Sequence, residues 1–210
     1  MEELDLFGNI IESRIPKKTE YPKGMNKGYL TANRDAESDE CLTPRYAVEP
    51  VVKYLKAKNY KSILCPFDKV DSWYVRVLKK NGFNVKFSHK ETKDFFEYNI
   101  FDMAEIDCIV SNPPYSCKDD VLEHLYELNT PFMMLLPQNS LQSKRRTNYF
   151  IKYGLEYLGF DSRICFYTNN DLSKIKVGNH FASGYFCWKV LPYPRNLIFE
   201  HLEFIQEPYI

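Results

Sequence analysis

The sequence predicts an α/β fold with a mostly parallel central sheet and a C-terminal antiparallel hairpin. Three observations carry that expectation. Short apolar runs alternate with helix-periodic segments in the order helix, strand, helix, strand, strand, helix, strand, the pattern of parallel sheets with crossover helices. The run "PFMMLLPQ", 131 to 138, is apolar throughout, as in a strand covered on both faces. Two further strand-like runs, "SRICFYT" (162–168) and "SGYFCWKVLP" (183–192), flank the polar loop "NNDLSKIKVGNH". A chain of 210 residues is long enough for one domain with a full core.

Residues 1 to 40 read as a polar arm, because "KKTEYPKGMNKGYLTANRDAESDE" holds breakers and charges without a sustained period. The arm is expected to lie on a surface or to be ordered by a partner, with 41–210 forming the domain. At "TPRYAVEPVVKYLKAKN" the pattern turns helical: Thr43 is placed as N-cap and Pro44 at the first helical position, with Ala47, Val48, Val51, Val52 and Leu55 on one stripe. Pro50 is expected to kink this helix. "YKSILCPF" is a short strand ended by proline. "DSWYVRVLKKNG" is a helix capped by Asp71 or Ser72 and closed by Gly82. "FNVKFSH" and "AEIDCIVSNPP" supply two more strands, and "KDDVLEHLYELN" is an amphipathic helix carrying Val121, Leu122, Leu125 and Leu128.

Composition narrows the function. Lys plus Arg and Asp plus Glu are each 28, so the net charge is zero and any nucleic-acid surface must be a local patch. The six cysteines include no C-x-x-C pair and mostly sit in apolar runs, which reads as small buried hydrophobes, with neither zinc nor disulfides expected. The N-terminus lacks the basic and apolar regions of a secretory leader, and no run approaches a membrane span, so the expected location is the cytoplasm.

In open α/β sheets ligands bind beyond the carboxyl ends of the strands. There this sequence places "CPFD", "SH", "SNPPY" and "PQNS". The most informative is "SNPPYS", 111 to 116. Pro113 and Pro114 remove two backbone donors and stiffen the chain's exit from the sheet. Asn112 offers a carbonyl acceptor, Pro113 a carbonyl without a donor, and Tyr115 a flat ring. Such a set accepts both hydrogens of a planar amine while the ring stacks on the attached heterocycle, an interaction worth about 1–3 kcal/mol. A purine amino group or a side-chain amide fits. No strong base or nucleophile accompanies it, so the amine itself is the expected nucleophile.

"SNPPYS" resembles the Asn-Pro-Pro-Tyr motif of S-adenosylmethionine-dependent amino-methyltransferases, most of them N6-adenine methyltransferases of DNA. "CLTPRYAVEPVVKYL" is similar to the Thr-Pro element preceding their cofactor strand, and "ILCPF" to the Asp-Pro-Phe opening of their first motif. The resemblance spans about residues 41 to 190 and is especially close to short members found in phages and prophages. It implies a Rossmann-like methyltransferase fold, with Asn112, Pro113, Pro114 and Tyr115 catalytic and Tyr115 stacking on a flipped adenine. Thr43, Pro44, Cys65, Pro66, Phe67, Asp68, His89 and Asp94 would border S-adenosylmethionine. Lys144, Arg145 and Arg146 of "SKRR", with Lys174 and Lys176 of "KIKVGNH", are candidate contacts to DNA phosphates.

The family's first motif continues with glycines, whereas this chain has Lys69, Val70 and Asp71 there, and His89 stands where a ribose-binding acid is usual. Those departures support an alternative: a methyltransferase-fold protein without the reaction, serving as an inhibitor or adaptor for another protein or a nucleic acid. A further alternative keeps the chemistry and changes the substrate to RNA adenine or a protein glutamine.

Overall fold

The structure is a computed structural model that describes residues 41–167, 172–175 and 181–209. The arm of residues 1–40, Lys176 and His180 lie outside the described residues. Among those described, the elements are α1 (Arg45–Ala57), β1 (Ser62–Cys65), α2 (Trp73–Lys80), β2 (Asn84–Phe87), β3 (Cys108–Ser111), α3 (Lys118–Glu127), β4 (Phe132–Pro137), α4 (Lys144–Tyr153), β5 (Glu156–Phe160), β6 (Ser183–Trp188) and β7 (Leu197–Glu200).

The strands form one sheet in the order β2-β1-β3-β4-β6-β5-β7. β2, β1, β3 and β4 are mutually parallel, with Ile63 opposite both Val85 and Cys108, and Ser111 opposite Met134. β6 runs against both neighbours, β4 and β5, while β7 lies parallel to β5. The result is a Rossmann-like α/β fold whose mostly parallel sheet carries one inserted antiparallel strand.

Each element follows from its residues. Ser72 caps α2, its Oγ accepting from the Val75 amide at 3.2 Å, and Gly82 ends the turn behind that helix at φ +87°, where a side chain would be strained. The six residues of β4 are all buried, because the sheet is covered on both faces. Alternate residues of the strands supply two cores. Ile63, Cys65, Cys108, Val110, Met133 and Leu135 pack with α1 and α2 on one face. Leu64, Ile109, Phe132, Met134 and Leu136 pack with α3 on the other. Burying a Leu, Ile or Phe of this kind stabilises by about 1.5–3 kcal/mol.

Two expectations need correction. The strands antiparallel to β6 are β4 and β5, and residues 162–167 are not one of them; Ile164, Cys165, Phe166 and Tyr167 are buried as a loop packed through its side chains, with an isolated bridge from Tyr167 to Leu42, while Thr168 lies outside the described residues. The N-cap of α1 is Pro44, one residue later than expected, and the Thr43 hydroxyl turns away from the helix. Pro50 sits inside α1 without ending it. No helix among the described residues is long and apolar enough to cross a membrane.

Candidate functional site

At the carboxyl ends of β1, β2 and β3 lies a cavity of about 360 Å³. The three strand ends meet there for the reason the parallel sheet requires: each strand stops at the same edge and its chain turns outward. Phe67 and Asp68 follow β1, His89 follows β2, and Asn112, Pro113 and Pro114 follow β3. "PQNS", at the end of β4, does not line this cavity; Gln138 and Asn139 face solvent, and Ser140 is buried with its carbonyl accepting from Arg146 Nε at 2.6 Å.

Asn112 is held on one side only. Its Nδ2 donates to the Cys41 carbonyl at 2.8 Å and to Thr43 Oγ1 at 3.1 Å, so both amide hydrogens are used. Its Oδ1 is buried and accepts no hydrogen bond. Leaving such an acceptor unpaired costs about 1–3 kcal/mol, a cost that a hydrogen-bond donor entering the site would relieve.

Asp68 is buried, accepts a hydrogen bond from Ser111 Oγ at 2.5 Å, and holds its turn through its amide to the Ser88 carbonyl at 3.0 Å. Burial pushes its carboxyl up to about 6, against the hydroxyls of Ser111 and Ser72, which favour the anion. It therefore changes charge near neutral pH. His89 is also buried, its Nδ1 3.4 Å from Glu91 Oε2. Lys69, 3.0 Å away, holds the exposed Glu91 carboxylate below the usual range.

Tyr115 departs from expectation. Its ring is 8% exposed, packed edge-on against Phe181 at 5.8 Å, so it offers no open face to a base. Its hydroxyl lies close to Asn112 and Ser183 without a hydrogen bond of full geometry, and burial pushes it well up, partly offset by those two neighbours. Pro44, Cys65, Pro66 and Asp94 do not line the cavity either. Pro44 begins α1, and Cys65 is sealed within the sheet, where burial pushes its thiol well up. Pro66 is buried, its carbonyl accepting from Ser88 Oγ, and Asp94 caps a short turn by accepting from the Phe96 amide at 3.0 Å.

The basic candidates separate. Lys144 is exposed at the start of α4, and Lys174 is exposed as well. Arg145 is tied to Asp120 at 2.6 Å and to Glu123 on α3. Arg146 is 6% exposed, paired with Asp119 and donating to the Ser140 and Gln142 carbonyls. Arg146 is therefore an internal clamp between α4 and α3, not a phosphate contact, and the charge of Arg145 is already matched.

Sequence reasoning missed Trp73, Tyr74 and Tyr209, all of which line the cavity. Trp73 and Tyr74 read as the start of a core helix, and nothing local marks Tyr209. Tyr209 is held by its amide to the Leu172 carbonyl at 2.9 Å, by Arg76 Nη1 on its own carbonyl at 3.1 Å, and by its ring against Tyr167 at 5.0 Å. Two residues before it, Glu207 pairs with Arg45 at 2.9 Å.

No family model matches the chain, and no curated protein does. Among solved structures, the methyltransferase subunit of a type I restriction-modification system from Streptococcus thermophilus aligns at 12% identity and TM-score 0.43, over 77% of this chain and 47% of that one. This chain thus spans about half the length of that neighbour.

Proposed function

We propose that the chain transfers a methyl group from S-adenosylmethionine to the N6 amine of adenine in DNA. The observation that carries this reading is the Asn112 amide, whose nitrogen is held by Cys41 and Thr43 while its buried oxygen accepts nothing. An acceptor fixed in that way, followed by the donorless carbonyl of Pro113, suits the two hydrogens of a planar amine and leaves the amine's lone pair directed away from both.

The residues around the cavity fit the cofactor. A volume of about 360 Å³ lies in the range of small-molecule sites. Asp68 supplies a carboxyl suited to a cationic ligand, and Phe67, Trp73 and Tyr209 supply aromatic walls that limit water. When bound, S-adenosylmethionine supplies an electrophilic methyl group. Asn112 and Pro113 orient the amine, and the exposed Lys144 and Lys174 are the candidate contacts to phosphate. DNA-binding, restriction-modification and a phage setting belong to the same reading.

The burial of the Tyr115 ring favours a second reading, in which the amine belongs to a group that needs no stacking face, such as a glutamine side-chain amide in a protein. The test is methyl transfer from labelled S-adenosylmethionine to mixed-sequence duplex DNA, to RNA and to protein. N6-methyladenine in the duplex, abolished by Asn112→Ala with folding retained, is the expected result. Label in protein alone selects the second reading, and full activity of Asn112→Ala would refute both.

A further inference from the structure

The sheet ends at β7, and the phase of that strand's backbone decides which of its groups face outward. Asn196 and Glu200 give their carbonyls to the Tyr157 and Asp161 amides along β5, at 2.7 and 3.1 Å. In a parallel ladder alternate residues of a strand bond to the same neighbour. Ile198 therefore also faces β5, and the N–H and C=O groups of Leu197 and Phe199 point away from the sheet.

Edge strands are commonly guarded by charge, because their free backbone groups invite another strand. β2, at the opposite edge, carries Lys86 in an ion pair with Glu105 at 2.9 Å, and Lys79 Nζ lies 4.9 Å from the Phe87 ring. β7 has no such guard. Its one charged residue, Glu200, is engaged by Tyr54 and Lys53 of α1. Leu197 and Phe199 share a face and are each 61% exposed, while Ile198 packs toward the core on the other face.

We propose that β7 is a dimerisation edge whose occupant is β7 of a second copy, antiparallel across a two-fold axis at Ile198. In that register Leu197 of each copy faces Phe199 of the other, and each such pair exchanges two backbone hydrogen bonds. It is the register that satisfies all the outward groups of both residues, and it sets apolar side chain against apolar side chain. The flanking charges choose the same orientation. Arg195, exposed, precedes the strand; Asp161, held to His201 at 2.6 Å, and the exposed Glu203 lie at its far end. Antiparallel pairing brings Arg195 of each copy to the carboxylates of the other, whereas parallel pairing would set Arg195 against Arg195. The edge alone is short, so the dimer is a reversible one.

The test is sedimentation velocity of the full chain from micromolar to sub-millimolar concentration, where a monomer–dimer equilibrium is expected. Leu197→Lys and Leu197→Pro should each raise its dissociation constant about tenfold or more. The proline removes only an outward amide hydrogen, so circular dichroism should show the fold retained. Arg195→Glu should weaken the dimer, and adding Glu203→Arg should restore it. Phe101→Lys, which alters an apolar side chain 86% exposed elsewhere on the surface, should leave the equilibrium unchanged. Oxidised Ile198→Cys should give a disulfide-linked dimer, because the two residues on the axis form a close, non-hydrogen-bonded pair. A monomer at every concentration would overturn the proposal, as would a dimer that both Leu197 variants leave intact. A monomer whose Leu197 and Phe199 amides resist hydrogen exchange would assign the edge to a segment of the same chain, such as residues 1–40, and overturn it equally.

Discussion

Replacing Asp68 by asparagine should stabilise the protein at alkaline pH and leave it unchanged in acid. The folded protein raises this carboxyl from 3.8 to about 6. Because the folded value lies above the unfolded one, the folded state holds the extra proton between those two values, and stability falls as pH rises through that window. Above it the full penalty applies, about 3 kcal/mol at about 1.4 kcal/mol for each tenfold change in the ionisation constant. The amide introduced by Asp68→Asn keeps the shape of the carboxyl and carries no charge. At about 2–4 °C per kcal/mol for a chain of this size, Tm should rise by about 6–12 °C at pH 8, with the difference closing near pH 4. Scanning calorimetry of both proteins across that range measures it. An equal offset at pH 4 and pH 8, or a loss at pH 8, would refute the reasoning that burial of this charge is costly. Under the proposed function the same variant should bind S-adenosylmethionine more weakly, and wild-type binding should weaken as pH falls through about 6.

Arg146→Ala should cost about 2–4 kcal/mol, since it strands Asp119, the buried Ser140 carbonyl and the part-buried Gln142 carbonyl, and chemical denaturation would read the loss. Lys144→Ala should leave stability within about 0.5 kcal/mol and, if DNA is the substrate, lower the slope of affinity against salt by about one ion, measured by fluorescence anisotropy. Gly82→Ala should destabilise by about 1 kcal/mol in the same denaturation assay, because its φ of +87° strains any side chain. Tyr209→Ala should reduce S-adenosylmethionine affinity in calorimetric titration, because it removes one wall of the cavity.

The parallel half of the fold was legible because its information is local: "SILC", "CIVS" and "FMMLLP" are compact apolar runs, and Ser72 and Gly82 punctuate α2 by their own chemistry. β7 was not, because an edge strand half open to solvent, with Leu197 and Phe199 exposed, lacks the burial pattern that marks a strand. Residues 162–168 misled because apolar content reports burial and not hydrogen-bonded pairing. In the site, Asn112 and Pro113 could be named from "SNPPYS", whereas the partners that orient Asn112 lie 71 and 69 residues away in sequence. Arg146 misled for a related reason: whether a basic side chain meets solvent or an internal carboxylate is decided by the packing of α4 on α3, which four letters do not contain.

The segment carrying Glu207 and Tyr209 has a consequence for how the chain acquires its cavity. Arg45 and Glu207 are 162 residues apart, and Arg76 reaches the Tyr209 carbonyl across 133. Closing loops of that length is entropically late relative to pairing β1 with β2 or β3 with β4, so the nascent sheet precedes the cavity wall on the refolding path. Refolding followed by tryptophan fluorescence and by capture of a cavity ligand should therefore give two clocks, with ligand competence the slower one.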